Sequence, residues 1–133
     1  MLVCVPLARD GQVDRWGRAR RVAIARVESG AIADWQEFDV GWDELHDTGT
    51  EGAHHARVAR FVREHGVQTV VAEHMGGDMA HMLDRLGVTV RLGAAGDARL
   101  AAAAAGLEAP GAVGPSGTVE SSETVGSSGA LKQ

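Results

Sequence analysis

Apolar and polar residues follow two different periods along this chain, and the change of period marks its elements. The first six residues are almost all apolar, which is typical of a buried strand. Residues 21–28 and 31–40 alternate in character on either side of Ser29-Gly30, which predicts a β-hairpin. The acidic stretch from Gly41 to Gly52 is predicted to be a loop.

From residue 53 onward, helix-like and strand-like segments alternate along the chain. Helices are expected at residues 53–65, 78–86 and 97–106, and buried strands at residues 67–72 and 88–92. Gly66 and Gly87 end the first two helices, and Asp97 is a good N-cap for the third. Such alternation implies parallel strands with right-handed crossovers. The sequence therefore predicts a three-layer α/β fold, in which about three helices pack on a mixed five-stranded sheet with an N-terminal antiparallel hairpin.

Composition changes near residue 108. Residues 109–133 are rich in Gly, Ser, Ala and Pro, and they cannot bury enough apolar surface to fold alone. We expect one domain over residues 1–108, followed by a flexible tail. The N-terminus does not resemble a signal peptide, and the sequence contains no apolar run of the roughly 20 residues that a membrane span needs. We therefore expect a cytoplasmic location.

The charges are unevenly distributed. The net charge of −5 argues against nucleic-acid binding. Four arginines cluster at Arg15, Arg18, Arg20 and Arg21, whereas residues 34–51 carry seven acids and no Lys or Arg. These are either two solvated surfaces, or an anion site at the arginines and a protein-binding surface at the acidic segment 34–51 or the tail.

Two glycine-containing turns each follow a predicted strand and precede a helix. They read His74-Met75-Gly76-Gly77-Asp78 and Gly93-Ala94-Ala95-Gly96-Asp97. Turns of this kind lie side by side at the carboxyl ends of parallel strands, where ligands bind. The N–H groups at a helix N-terminus attract anions, and His and Met side chains can ligate a soft metal or a metal cluster. Alternatively, Gly76 and Gly77 only permit a sharp turn, with Asp78 as the helix N-cap.

The spacing of the other histidines and methionines indicates which of them could be ligands. His54 and His55 open the first helix, where the dipole keeps an imidazole neutral and able to bind metal, unless they are simply polar residues at a helix start. Met79 and Met82 share a stripe with leucines and are assigned to the core. The first strand has no acid, which argues against a nuclease, and no catalytic triad is visible.

Three segments, taken together, resemble the dinitrogenase iron–molybdenum cofactor biosynthesis family over roughly residues 1–107. The first is Arg15-Trp16-Gly17-Arg18-Ala19, close to the family's His-Phe-Gly-Arg-Ala; the others are residues 65–71 and residues 75–88 with the strand that follows. The resemblance implies a ribonuclease H-like fold and, in some members, the carriage or insertion of iron–sulfur or iron–molybdenum clusters. Arg15 and Trp16 stand where the family prefers His and Phe, which leaves Arg15 and Arg18 as charge partners for an anionic cluster.

We therefore expect a non-enzymatic domain that binds an anionic metal cluster in a crevice between the two glycine turns. The expected binding residues are Arg15, Arg18, Gly76, Gly77, Gly93 and Gly96, and the expected metal ligands are His74, Met75 and His54. The alternative is a metal-free structural or regulatory interaction module that uses the acidic segment or the tail.

Overall fold

The computed structural model describes residues 1–45, 47 and 49–107. The predicted flexible tail, residues 109–133, lies outside the described residues. The elements are β1 (Leu2–Leu7), β2 (Arg21–Glu28), β3 (Ala31–Asp39), α1 (Trp42–Leu45), α2 (Glu51–Glu64), β4 (Thr69–Val71), α3 (Gly77–Arg85), β5 (Thr89–Arg91) and α4 (Ala98–Leu107).

The strands form one mixed sheet in the order β3-β2-β1-β4-β5. β1, β2 and β3 pair antiparallel, whereas β4 pairs parallel with both β1 and β5. In the β2–β3 turn, Ser29 and Gly30 both have positive φ, of 54° and 77°, as a two-residue hairpin loop requires. The predicted five-stranded mixed sheet with its N-terminal hairpin is confirmed.

Helices cover both faces of the sheet, so the molecule has three layers as predicted. Because side chains alternate along a strand, Cys4 of β1 packs with α2 and α3, while its neighbour Val3 packs with α4. The larger core lies under α2 and α3 and contains the bulkiest fully buried side chains of the described residues, Trp42 and Leu83. None of the helices in the described part of the chain is long and apolar enough to cross a membrane.

Two local predictions are wrong. The acidic stretch after Gly41 is not all loop, because the Trp42 side chain is only 1% exposed and draws one helical turn, α1, onto the core. Asp78 is not the N-cap of α3; the N-cap is Gly76, and no side chain caps this helix. By contrast, the Asp97 carboxylate accepts a hydrogen bond of 3.0 Å from the Leu100 N–H, so its predicted capping of α4 is confirmed.

Candidate functional site

A pocket of about 570 Å³ opens at the carboxyl end of β4, on the face covered by α2 and α3. This volume falls within the range of roughly 300–1,000 Å³ that is usual for small-ligand sites. Its walls are residues 15–18 of the β1–β2 loop, residues 51, 54 and 55 at the start of α2, and residues 74 and 76–79 at the start of α3. The pocket thus joins three segments that are distant in sequence.

Backbone hydrogen bonds hold the β1–β2 loop against the turn that follows β4. The Trp16 N–H donates to the His74 carbonyl at 2.9 Å, and the Glu73 N–H donates to the Asp14 carbonyl at 3.1 Å. Gly17 has a φ of 84°, which turns the loop back toward α2 and strongly favours glycine at this position. The backbone that carries Arg15 and Arg18 is therefore held at the mouth of the pocket.

His54 lies in the pocket wall and fixes this loop from the other side. Its side chain is 2% exposed, and its Nε2–H donates to the Gly17 carbonyl at 2.9 Å. This assigns the tautomer in which Nδ1 carries the lone pair, and Nδ1 accepts from Nη1 of Arg57 at 3.0 Å. Both ring nitrogens are hydrogen-bonded within the protein, so His54 braces the loop in this structure, and its expected role as a metal ligand stays a prediction.

The two other expected metal ligands are placed differently from each other. His74 is exposed and lines the pocket. Met75 is 4% exposed and packs into the larger core beneath the turn, so its sulfur is not part of the pocket wall. Of the three side chains expected to bind metal, His74 is the one that the fold presents to a ligand.

Gly76 and Gly77 are not needed for the turn itself. Gly76 has a φ of −63°, and Gly77 is the first residue of α3; neither has positive φ. A Cβ built at either position would meet no atom within 4 Å. The protein's own backbone and packing therefore do not require glycine here, and the effect of two glycines is to leave the first N–H groups of α3 uncovered in the pocket wall.

The second glycine turn does not line the pocket. Gly93 and Gly96 have φ values of 82° and 81°, so the backbone itself favours glycine at both positions. The Gly96 carbonyl accepts from the Val13 N–H at 2.8 Å, and the chain then enters α4 on the opposite face. The expected crevice between the two turns is replaced by a pocket between the first turn, the arginine loop and α2, with the second turn supporting the loop from behind.

The electrostatics of the pocket favour an anion. Arg15 and Arg18 are exposed in its wall, and the first turns of α2 and α3 add the partial positive charge of two helix N-termini. Two carboxylates, Glu51 and Asp78, oppose this field. Arg18 also lies 4.0 Å from Asp47, but both side chains are more than half exposed, so this pair contributes little.

Trp16 is a further residue of the pocket, in addition to those expected from the sequence. It lines the pocket and is 5% exposed, and its indole Nε1 is buried without a hydrogen-bond partner among the described residues. Its ring packs edge-on against Trp42, with centroids 5.0 Å apart. One feature of the sequence could have indicated its role: Trp16 stands where the family prefers Phe, and the indole adds an N–H donor to the aromatic ring.

The donor atoms of the site do not form a cage for a bare metal ion. Cys4 lies on β1 with no exposed surface, and burial raises the pKa of its thiol, so it supplies no thiolate. Within residues 1–45, 47 and 49–107, no group of three or more His, Cys, Asp or Glu side chains is placed to hold a metal. The pocket instead offers cations and N–H groups, which bind the outer acceptor atoms of an anion.

Comparison with known proteins supports the fold and identifies the family. No curated protein matches the chain. The fold is similar to the crystal structure of PH0822, with a TM-score of 0.58 and 22% sequence identity over 75% of this chain and 81% of that one. A protein of Methanocaldococcus jannaschii, mj0327, provisionally named a dinitrogenase, aligns over 68% of this chain and 72% of its own, with 10% identity and a TM-score of 0.48. The model of the family described as dinitrogenase iron-molybdenum cofactor matches residues 1–107, so the chain belongs to this family, as its motifs predict.

Proposed function

We propose that this domain is a non-enzymatic carrier that binds an anionic iron–sulfur or iron–molybdenum cluster as cargo in the pocket beside Gly76 and Gly77. Membership of the family supports a role connected with such a cofactor. The observation that carries the proposal is the open start of α3, where two glycines that the fold does not need leave backbone N–H groups uncovered. An uncapped helix N-terminus beside two arginines is suited to an anion.

The residues present fit a cluster that brings its own sulfide or thiolate ligands. Arg15 and Arg18 supply positive charge, and the first turn of α3 supplies N–H donors to the cluster's outer atoms. His74 adds an exposed imidazole that can contact one metal atom. The pocket thus holds cargo mainly through charge and hydrogen bonds, which makes uptake and release reversible.

A titration under anaerobic conditions tests this proposal. The probes are tetrathiomolybdate, a dianion with four terminal sulfur atoms, and a synthetic thiolate-ligated [4Fe–4S] cluster, with retention measured by equilibrium dialysis and metal analysis. We expect the full chain to retain both probes and to lose affinity as the salt concentration rises. Ferrous or cuprous ions supplied alone are not expected to be retained at this site.

Arg15→Ala and Arg99→Ala form a matched pair for this titration. Both remove one exposed positive charge, but Arg99 lies on α4, where it stacks 4.4 Å from the Trp35 ring centroid. We expect Arg15→Ala to weaken binding roughly tenfold, since a charge-assisted contact contributes about 1.4 kcal/mol or more. Arg99→Ala should bind as the wild type does. Absence of retention by the wild type, or an equal loss in both variants, would overturn the proposal.

A further inference from the structure

We infer that the indole N–H of Trp16 donates a hydrogen bond to the cargo, so that the pocket recognises a ligand by the acceptor atoms on its surface. The corresponding ligand class is anions with terminal oxo, sulfido, thiolate or carboxylate groups. This inference rests on the proposed function and adds to it a specificity-determining residue and the chemistry that this residue selects.

The first argument is the unsatisfied state of the donor. Trp16 is 5% exposed, lines the pocket, and has its Nε1 buried with no hydrogen-bond partner in the part of the chain that the structure describes. Native proteins pair nearly all buried polar groups, because an unpaired buried N–H costs about 1–3 kcal/mol. A small local shift that brings Nε1 into contact with an acceptor atom on a ligand in the pocket would remove this cost.

The second argument is that the ring is held in place before a ligand arrives. Its T-shaped contact with Trp42 has a centroid distance of 5.0 Å and an interplanar angle of 67°. Its own backbone N–H is bonded to the His74 carbonyl, and the next residue, Gly17, is bonded to His54. Such a donor loses little conformational entropy on binding, so its hydrogen bond contributes to affinity.

The third argument is that Arg15 and the backbone N–H groups at the start of α3, which line the pocket together with Trp16, also offer only hydrogen-bond donors. An indole N–H can donate but cannot accept a hydrogen bond or ligate a metal, and the same is true of an arginine guanidinium and a backbone N–H. Trp16 and Arg15 of the β1–β2 loop and the first turn of α3 therefore line one pocket with donor groups from two segments of the chain. A ligand with acceptors on several sides, such as a tetrahedral oxo- or thiometallate or a sulfide-surfaced cluster, can satisfy them together.

Nuclear magnetic resonance on the full chain tests this inference directly. The protein has three tryptophans, so three indole N–H signals are expected, and Trp→Phe variants assign them. On titration with diamagnetic tetrathiomolybdate we expect the Trp16 indole proton to move downfield as its hydrogen bond forms. The Trp35 indole, which already donates to the Glu37 carboxylate at 2.9 Å, should stay in place.

Binding by Trp16→Phe supplies the second measurement, with Trp35→Phe as control. Phe keeps an aromatic ring against Trp42 and removes the donor together with part of the ring volume, so we expect a folded, somewhat less stable protein with tetrathiomolybdate affinity lowered roughly fivefold. If the wild type binds the probe while the Trp16 indole signal stays fixed and Trp16→Phe binds equally well, this inference is wrong and the proposed function stands. If the wild type binds no probe, both are wrong. If Trp16→Phe does not fold, the shift of the Trp16 indole signal in the wild-type spectrum still tests the inference.

Discussion

His54 and Gly17 are joined by a hydrogen bond of 2.9 Å that spans 37 residues of sequence, from the Nε2–H of the imidazole to the Gly17 carbonyl. Arg57 donates to the other ring nitrogen, so the imidazole lies in a chain of hydrogen bonds running from α2 to the arginine loop. This contact places Arg15 and Arg18 over the pocket. The loop's shape thus depends on a residue that is far from it in the sequence.

Replacing His54 should therefore affect both stability and binding. We expect His54→Ala to lower the free energy of unfolding by about 2–3 kcal/mol, because it leaves a cavity and removes one buried and one partly buried hydrogen bond. Binding of tetrathiomolybdate should weaken as well, since the arginine loop loses its brace. His55→Ala, one position along and more exposed, is the control for stability. Equal unfolding curves in urea for the two variants would be at odds with this account.

Alanine at Gly77 and at Gly17 should have opposite consequences. The Gly77 backbone is helical and its Cβ would enter open space, so Gly77→Ala should leave the melting temperature unchanged or slightly higher. The added methyl group partly covers the N–H groups of α3, so affinity for tetrathiomolybdate should fall. Gly17→Ala forces a side chain into positive φ and should cost about 1–2 kcal/mol of stability. A Gly77→Ala protein that is unstable, or that binds normally, would contradict the role assigned to Gly77.

Packing against β2 requires glycine at position 106, and a second pair of substitutions can test this requirement. A Cβ at Gly106 of α4 would collide with the Val27 side chain on β2, where even Val27 Cβ is 3.1 Å away. We expect Gly106→Ala to destabilise the protein by about 1–3 kcal/mol. Gly52→Ala in α2, with only the Thr50 hydroxyl nearby at 3.9 Å, should instead be neutral or stabilising. Thermal unfolding of both variants checks the contrast, and a destabilisation shared by the two would refute it.

The buried thiol of Cys4 should make stability fall at alkaline pH. Burial raises the pKa of Cys4 in the folded protein, whereas in the unfolded chain the thiol ionises near pH ~8.5. Below that pH both states hold the proton and the contribution is constant; above it only the unfolded state loses the proton and is stabilised. We expect the free energy of unfolding to drop by about 2 kcal/mol between pH 8 and pH 10. This part of the drop should disappear in Cys4→Ala, as measured by urea denaturation.

Removing a carboxylate from the pocket should strengthen anion binding. Asp78 lines the pocket but does not cap α3, so Asp78→Asn removes an opposing charge at little structural cost. We expect roughly two- to fivefold higher affinity for tetrathiomolybdate at low salt, as for an exposed charge pair of up to about 1 kcal/mol. Asp97→Asn makes the same change in charge at the second turn, outside the pocket wall, and should leave affinity unaltered. A gain of equal size in both variants would show a general effect of net charge instead.

The sheet and its hairpin could be predicted because each strand carries its own periodicity, and the positive-φ turn at Ser29-Gly30 is local. Trp42 shows the limit of this approach. A single apolar side chain among acids looks like part of a loop, and its one helical turn exists only because Trp16 and Phe61 lie where its ring can pack. Neither partner is close to it in sequence.

Some of the residues expected at a ligand site lie together in the pocket. His74, Gly76 and Gly77 were expected at a ligand site and line the pocket with the two arginines. The sequence alone does not distinguish Gly76 from Gly93. Gly76 has a φ of −63°, whereas Gly93 has a φ of 82°, so only the Gly93 backbone conformation requires glycine. The sequence also does not show that the Met75 side chain packs into the core, because this depends on the residues that lie beneath the turn.

The course of α4 has a practical consequence. This helix begins at Ala98, whose N–H is bonded to Gly11 near the pocket edge of the sheet, and it ends with Leu107 against Gly30 of the hairpin. Ten residues of helix span about 15 Å, so the last described residue lies at the opposite edge of the sheet. A surface tether attached at Leu107 would therefore leave the pocket accessible for the cargo titrations.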